Sequence, residues 1–533
     1  MKKLLSFLQQ KPWHVLFIAL FPIVFLFAEN MEYVSFKDTL APMALSLVLG
    51  FILLIISKLI FKTWIKAGAI TSLILFLFFS FGAYYEHCQT WSIPFFIKPI
   101  QLDHNFFKWT SLCLLVLTSW GLIKAKGKLF KMNALLNFIG FILLGMSIFN
   151  IVQFKREQEM SNSEFMELQE SDTSSGIQKL RPTIYYLIMD AYTSNDVLRD
   201  YFDYDNSAFT DMLKSKGFYV ADKSISNYGQ TILSVPSALN MMYLDSIIED
   251  LGPQNEDRWP MAKVLNNNIV LQKLKEQNYR SISFDASIME LVYLKSTDDF
   301  HETPGTQLNL FQNELLNTTA LRAFNRRKKL VTTDPFDFHR KKILEAFRMM
   351  GRIAEKVEPF YVHGHVLSPH QPFVFDRNGK SVTPPWGGYS IWAPLRPDSD
   401  NSVYKKGYVE QLQYINKKLE ELIDKIQSNK DRPAIIIIQG DHGTCSELRN
   451  HHGFDNNDFR ERFSIMNAYY FPDQEYSDLY KGISPVNSFK VVMNKYFDGN
   501  YELEPDRAYF SDWDHPFELT DVTGIIKQQR AKK

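Results

Sequence analysis

Five apolar stretches crowd the first 153 residues of this chain: Trp13–Ala28, Ala41–Phe61, Ala67–Tyr85, Trp109–Ile123 and Asn133–Val152. Crossing the hydrocarbon core of a bilayer takes about 20 apolar residues of helix, since only a helix satisfies its own backbone there. The second, third and fifth stretches meet that length. The first and fourth are short and need interfacial aromatics to reach the headgroups; Trp13, Trp64, Trp91 and Trp109 stand at the ends of the runs. A cleaved signal peptide is the competing reading of the first stretch, because Lys2 and Lys3 precede it. That run closes on Phe25-Leu26-Phe27-Ala28, without the paired small residues of a cleavage site, and four more stretches follow.

Charge orients these spans. Residues 1–153 hold thirteen lysines and no arginine. With a cytoplasmic N-terminus, ten fall on the inner side (Lys2, Lys3, Lys11, Lys58, Lys62, Lys66, Lys124, Lys126, Lys128 and Lys131) and three on the outer (Lys37, Lys98 and Lys108), as the positive-inside rule requires. Lys155 and Arg156 oppose this weakly. Five spans then leave everything after residue 153 outside the cytoplasm. No charged residue sits mid-span, which argues against ion conduction. Anchoring and holding a lipid substrate near the membrane surface remain as roles. Over the whole chain 59 basic side chains balance 59 acidic ones, excluding a highly charged nucleic-acid binder and a disordered polyampholyte.

Residues 154–181 are polar and lack apolar periodicity, so they read as a linker or stalk between a transmembrane domain (1–153) and a globular domain (182–533). In the latter, Thr183–Met189 and Ala434–Gln439 are unbroken apolar runs, as strands buried on both faces are. Short strands are expected at Ser281–Phe284 and Phe360–Val362, and helices at Ile232–Leu244, Val270–Glu276, Arg340–Val357 and Lys405–Gln427. Strands separated by helices predict an α/β domain with a mostly parallel central sheet flanked by helices, and in such sheets ligands bind beyond the carboxyl ends of the strands.

Asp190 follows the first of these strands, and Gly440-Asp441-His442-Gly443 follows the last. Two carboxylates and an imidazole brought together there suit one divalent cation, Zn or Mn. Six of the twelve histidines fall within residues 363–452. Among them His370 lies in a Pro-framed turn, and His452 follows Asp441 closely enough for one loop to return to the same place. Thr231 stands before a helical run, where free N–H groups and the helix dipole favour an anion; it serves there either as a nucleophile or as an N-cap.

These residues resemble the alkaline phosphatase/sulfatase superfamily, in the membrane-anchored branch that holds lipoteichoic acid synthases and lipid A phosphoethanolamine transferases. The Thr-x-x-Ser-x-Pro nucleophile motif matches Thr231-Ile-Leu-Ser234-Val-Pro236, the Asp-His-Gly metal motif matches Asp441-His442-Gly443, and the strand-end acidic ligand matches Asp190, where several of the transferases carry Glu. The resemblance implies an alkaline-phosphatase-like fold and one divalent metal ion held by Asp190, Thr231, Asp441 and His442. It also implies a phosphothreonine intermediate on Thr231, with His370 and His452 on the substrate side. A headgroup would pass from a membrane lipid to a lipid or glycan acceptor, on the extracytoplasmic face of a bacterial plasma membrane. A hydrolase using the same site and a non-catalytic membrane scaffold are the alternatives. The chain lacks the Cys-x-Pro-x-Arg and Ser-x-Pro-x-Arg sequences that are converted to formylglycine in sulfatases. It also lacks the disulfide cysteines common in phosphoethanolamine transferases. Residues 286–335 and 473–533 match no part of the pattern.

Overall fold

The computed structural model describes residues 10–31, 36–88, 92–93, 100–101, 104–125, 127, 129–167, 181–287, 290–304, 308, 310–322, 334–356, 358–383, 401–446 and 459–531. The apolar runs of the first third form helices α1 (His14–Glu29), α2 (Phe36–Phe61), α3 (Trp64–Cys88), α4 (His104–Lys124) and α5 (Phe130–Glu167). Four of them, α2 to α5, are long and apolar enough to cross a membrane. The fourth gains its length because His104–Lys108 continues the helix ahead of Trp109. At 16 residues α1 rises about 24 Å and is the short one. Leu45, Leu59, Leu117 and Phe149 are among many large apolar side chains left exposed on α2, α4 and α5, a surface suited to hydrocarbon and not to water. The start of α1 is tied by polar groups instead. His14 N–H donates to Asn137 Oδ1 at 2.7 Å, and its ring lies 2.6 Å from Ser72 Oγ and 3.2 Å from Asn133 Oδ1.

By its packing the chain divides into two units, one of residues 1–174 with 306–333 and one of residues 175–305 with 334–533. The first therefore contains a helix from far along the sequence, Leu310–Thr318. Phe311 and Leu315 of that helix are buried in a cluster with Ile23, Phe27, Leu75 and Phe79, and Ala320 N–H donates to the Phe78 carbonyl at 2.8 Å. Gly82 admits this close approach, since a Cβ there would stand 1.8 Å from the Asn317 carbonyl oxygen.

The second unit is built on a seven-stranded sheet. Its strands are β1 (Thr183–Met189), β2 (Tyr219–Val220), β3 (Arg280–Phe284), β4 (Asp299–His301), β5 (Phe360–Val366), β6 (Ala434–Gln439) and β7 (Asn467–Tyr470), in spatial order β2-β7-β6-β1-β5-β3-β4. From β6 through β4 the pairings are parallel; β7 runs antiparallel to both β6 and β2. The sheet is thus mixed with mostly parallel strands. Because β7 pairs antiparallel with β6, the chain reverses its direction between these two strands.

β1 is buried along its whole length because successive side chains enter two different layers. Tyr185, Leu187 and Met189 pack in a core with Ile343, Phe347 and Met350 of α7 (Pro335–Ile353) and Leu412, Ile415 and Leu419 of α8 (Asn401–Ser428). Ile184, Tyr186 and Ile188 pack with Val235 and Leu239 of α6 (Thr231–Asn240) and Phe489 and Val492 of α9 (Pro485–Tyr496). Ile435 to Ile438 of β6 alternate in the same way. Each fully buried isoleucine or leucine contributes about 1.5–3 kcal/mol, so these two layers fix the register of the central strands.

Candidate metal and nucleophile centre

Register places the site. In β1 and β5, Met189 pairs with Val366; in β1 and β6, Ile188 pairs with Gln439. The three central strands therefore end side by side, and the next residues, Asp190 after β1 and Gly440-Asp441-His442 after β6, emerge at one edge. Donor atoms of Asp190, Asp441 and His442 all lie within 4.8 Å of one another, and all three residues are buried.

Thr231 reaches the same point from α6. It is the first residue of that helix, not its cap: Gln230 occupies the cap position with extended backbone. Thr231 Oγ1 donates to Asp441 Oδ2 at 2.7 Å and lies 3.2 Å from His442 Nε2. The loop below is fixed from several sides. Ala191 N–H donates to Asp441 Oδ1 at 3.1 Å, and Ser234 Oγ, three residues into α6, donates to the Asp441 carbonyl at 2.7 Å. Gly443 answers a steric demand, since a Cβ there would stand 2.1 Å from the Glu461 carbonyl oxygen, where Gly443 N–H donates to Arg462 O at 2.6 Å.

The donor chemistry suits a divalent cation. His442 Nδ1 is 2.9 Å from the Gly443 carbonyl. An N–H there leaves the lone pair on Nε2, which faces Asp441 Oδ2 at 3.5 Å and Asp190 Oδ1 at 3.8 Å. Asp190 Oδ1 is buried without a hydrogen-bond partner, a costly arrangement for a carboxylate oxygen unless a cation meets it. Its other oxygen accepts from His365 Nε2 at 3.3 Å. Burial alone would raise the Asp190 carboxyl, but His370, the His365 hydrogen bond and His442 hold it below its ordinary value. For His365 burial acts downward, and Asp190 and Asp441 overcome it to raise the imidazole. Burial, helped by the Arg462 guanidinium, pushes His442 down to about 4 against the pull of Asp441 and Asp190, so the ring is neutral and able to ligate at neutral pH.

His370 stands on the open side. Its backbone N–H donates to the Asp190 carbonyl at 3.0 Å, its ring lies 6.1 Å from that of His442, and Nδ1 contacts the Gln371 carbonyl at 2.5 Å, while Nε2 has no hydrogen-bond partner among the described residues. Asp190, Thr231, His370 and His442 line one cleft, with Arg462, Ile232, Val292 and Leu367. Phe510, Ser511, Asp512 and Trp513 also line it; these last four come from the C-terminal stretch that matched no sequence pattern. Four of the six residues singled out from the sequence as ligands, nucleophile or substrate contacts thus converge within the Asp190–Thr231–Asp441–His442 cluster, and a fifth, His370, borders the cleft. The sixth, His452, lies outside the described residues. Sequence reasoning missed Arg462 and left His365 without a role. A His five residues ahead of His370, on a strand paired with β1, was the available signal for His365.

No protein-family model and no curated protein sequence matches this chain. Several solved structures are similar to it. The C-terminal periplasmic domain of EcEptC from Escherichia coli, in complex with Zn, is 12% identical with a TM-score of 0.42, covering 64% of this chain and 93% of that one. The integral membrane lipooligosaccharide phosphoethanolamine transferase A of Neisseria meningitidis is 11% identical with a TM-score of 0.38, over 91% of this chain and 95% of that one. The phosphonate monoester hydrolase of Agrobacterium radiobacter is 11% identical with a TM-score of 0.40, over 62% and 80%.

Proposed function

We propose that this chain is a metal-dependent phosphotransferase anchored in a bacterial plasma membrane by its N-terminal helices, with its α/β unit on the extracytoplasmic face. Asp190, Thr231, Asp441 and His442 hold one divalent ion, Zn or Mn. The observation that carries the reading is the position of a helix-opening hydroxyl, Thr231 Oγ1, 2.7 Å from one carboxylate and 3.2 Å from a neutral imidazole, beside a buried and unpaired Asp190 oxygen.

A divalent cation bound there lowers the pKa of a hydroxyl and draws charge from a phosphoryl oxygen. The chain supplies the rest. Asp441 Oδ2 holds the Thr231 proton and thereby turns an Oγ1 lone pair to the cleft. Oγ1 attacks phosphorus in a phosphodiester, forming the Thr231–phosphate bond as the ester bond to the leaving alcohol breaks. In this step Asp441 Oδ2 takes the Thr231 proton, and His370, doubly protonated with its Nδ1–H on the Gln371 carbonyl, gives its Nε2 proton to the departing oxygen and is left neutral; His452 is proposed to share the substrate side. An acceptor hydroxyl then gives its proton to His370 and takes the phosphoryl group, releasing Thr231. A membrane lipid as donor and a lipid or glycan as acceptor follow from the anchor, which favours transfer; water as acceptor would make the same site a hydrolase.

The test uses the full chain in detergent with a phospholipid labelled in its headgroup. Peptide mass spectrometry should find a phosphorylated Thr231, and label should appear on lipid or glycan acceptor and not free in solution. Thr231→Ala should lower turnover by about 10³-fold or more while the ion stays bound through the remaining three ligands, Asp190, Asp441 and His442, and the melting temperature stays within about 2 °C of the parent. Substantial turnover by that variant overturns the nucleophile, and a wild-type protein without bound divalent metal overturns the whole reading in favour of a scaffold.

A further inference from the structure

Two arginines two residues apart on the helix Phe459–Phe463 have different surroundings. Arg460 is neutralised: its Nη2 meets Asp196 Oδ2 at 3.0 Å and also Asp200. Arg462 is not. Its Nε donates to the Gly229 carbonyl at 2.8 Å and its Nη1 to the Gly443 carbonyl at 3.2 Å. Among the described residues no carboxylate pairs with it. Those two carbonyls belong to the residue two before Thr231 and the residue just after His442. The guanidinium therefore links the loop that carries the hydroxyl to the loop that carries the Asp-His pair. A guanidinium has five N–H donors in a planar fork, and two are spent on these carbonyls. The side chain borders the cleft together with Thr231, His370 and His442, and its charge reaches His442, where it is the second cause of the lowered imidazole.

We propose that Arg462 binds a non-bridging oxygen of the phosphoryl group being transferred, through its Nη2 donors; this rests on the phosphoryl-transfer reading above. A cation tied through neutral carbonyls keeps its full charge, unlike one paired with a carboxylate. Fixed to both loops, it needs no reorganisation as negative charge builds on the phosphoryl oxygens during attack. Its two roles, holding the loops and meeting the oxyanion, make different demands on a substitute. Lysine supplies charge without the fork, and a free guanidinium ion supplies the fork without the tether.

Orthovanadate, a phosphoryl mimic whose binding requires no turnover, is the probe, and the protein is the full chain in detergent. Arg462→Ala is expected to weaken vanadate binding, read by thermal shift, by about 10²–10³-fold with metal content unchanged, and millimolar guanidinium ion should restore part of it. Arg462→Lys should weaken binding by about tenfold, and it carries the test alone if the alanine variant does not fold. Vanadate binding within about threefold of wild type in either folded variant, no vanadate binding by wild type, or loss without guanidinium rescue overturns the assignment. Thr231→Ala is run in parallel on the labelled phospholipid. Retained turnover there sinks the nucleophile reading and this assignment with it, whereas lost turnover beside an Arg462→Ala variant that binds vanadate normally sinks this assignment alone.

Discussion

His363 lies on β5, two residues before His365, yet it has a different part to play. It is buried among aromatic rings, 5.9 Å from Tyr186 and 6.4 Å from Tyr361, and burial pushes it down from 6.5 to about 3. The folded chain thus keeps this ring neutral through the range in which the unfolded chain takes up a proton. Its contribution to stability is complete above pH 6.5 and is lost as pH falls toward 3, at about 1.4 kcal/mol per pH unit. His363→Phe keeps a ring in the space and removes the titration. Melting temperature measured from pH 7 to pH 4 should fall less steeply in that variant than in wild type; parallel curves would refute the account. At this scale the sequence was readable wherever a side chain follows a strand. Asp190 and Asp441-His442 stand directly after unbroken apolar runs, and strand ends are where parallel sheets expose function. Arg462 was not readable. It sits in Arg460-Glu461-Arg462, which reads as a solvated charged turn, and its direction depends on carbonyls at Gly229 and Gly443, far from it along the chain.

Among the elements, the loop after β6 and the helix Phe459–Phe463 act as one piece, joined where the Gly443 N–H meets Arg462 O and where no side chain at residue 443 could fit. Gly443→Ala places a methyl group against that backbone. Destabilisation of about 1–3 kcal/mol is expected, together with weaker metal binding, because Asp441 and His442 ride on the displaced loop. Equilibrium dialysis against zinc alongside thermal melting checks both, and an alanine variant that binds metal as the parent does would show the contact to be slack. The strands β1 and β6 coincide with their expected bounds because continuous burial leaves them no alternative period. The helix expected over Ile232–Leu244 stops at Asn240, where Met241 takes a left-handed backbone with φ of 55°, a local turn that apolar patterning does not encode. The reversed direction of β7 was likewise hidden, since strand direction depends on how the connection packs and not on its composition.

For the whole molecule, the placing of 306–333 with the N-terminal helices means that the polypeptide passes between its two units three times, after residues 174, 305 and 333. A protease site inserted in residues 168–180 and cut in isolated membranes should therefore leave the α/β unit in the pellet after an alkaline wash. Phe311→Asp with Leu315→Asp, which charges the face buried against Ile23, Phe27, Leu75 and Phe79, should let the cut fragment escape to the supernatant. Release from the unsubstituted protein would refute the second attachment. The same threading sets an order of biogenesis. Strands β1 to β4 leave the ribosome before this segment and β5 to β7 after it, so the central sheet is completed only from pieces on both sides of a helix whose seat is made of α1 to α3. On the proposed membrane-anchored reading, the early helices insert before the late strands can close the sheet, and a version begun at residue 182 would carry the seatless apolar face of Phe311 and Leu315 into water.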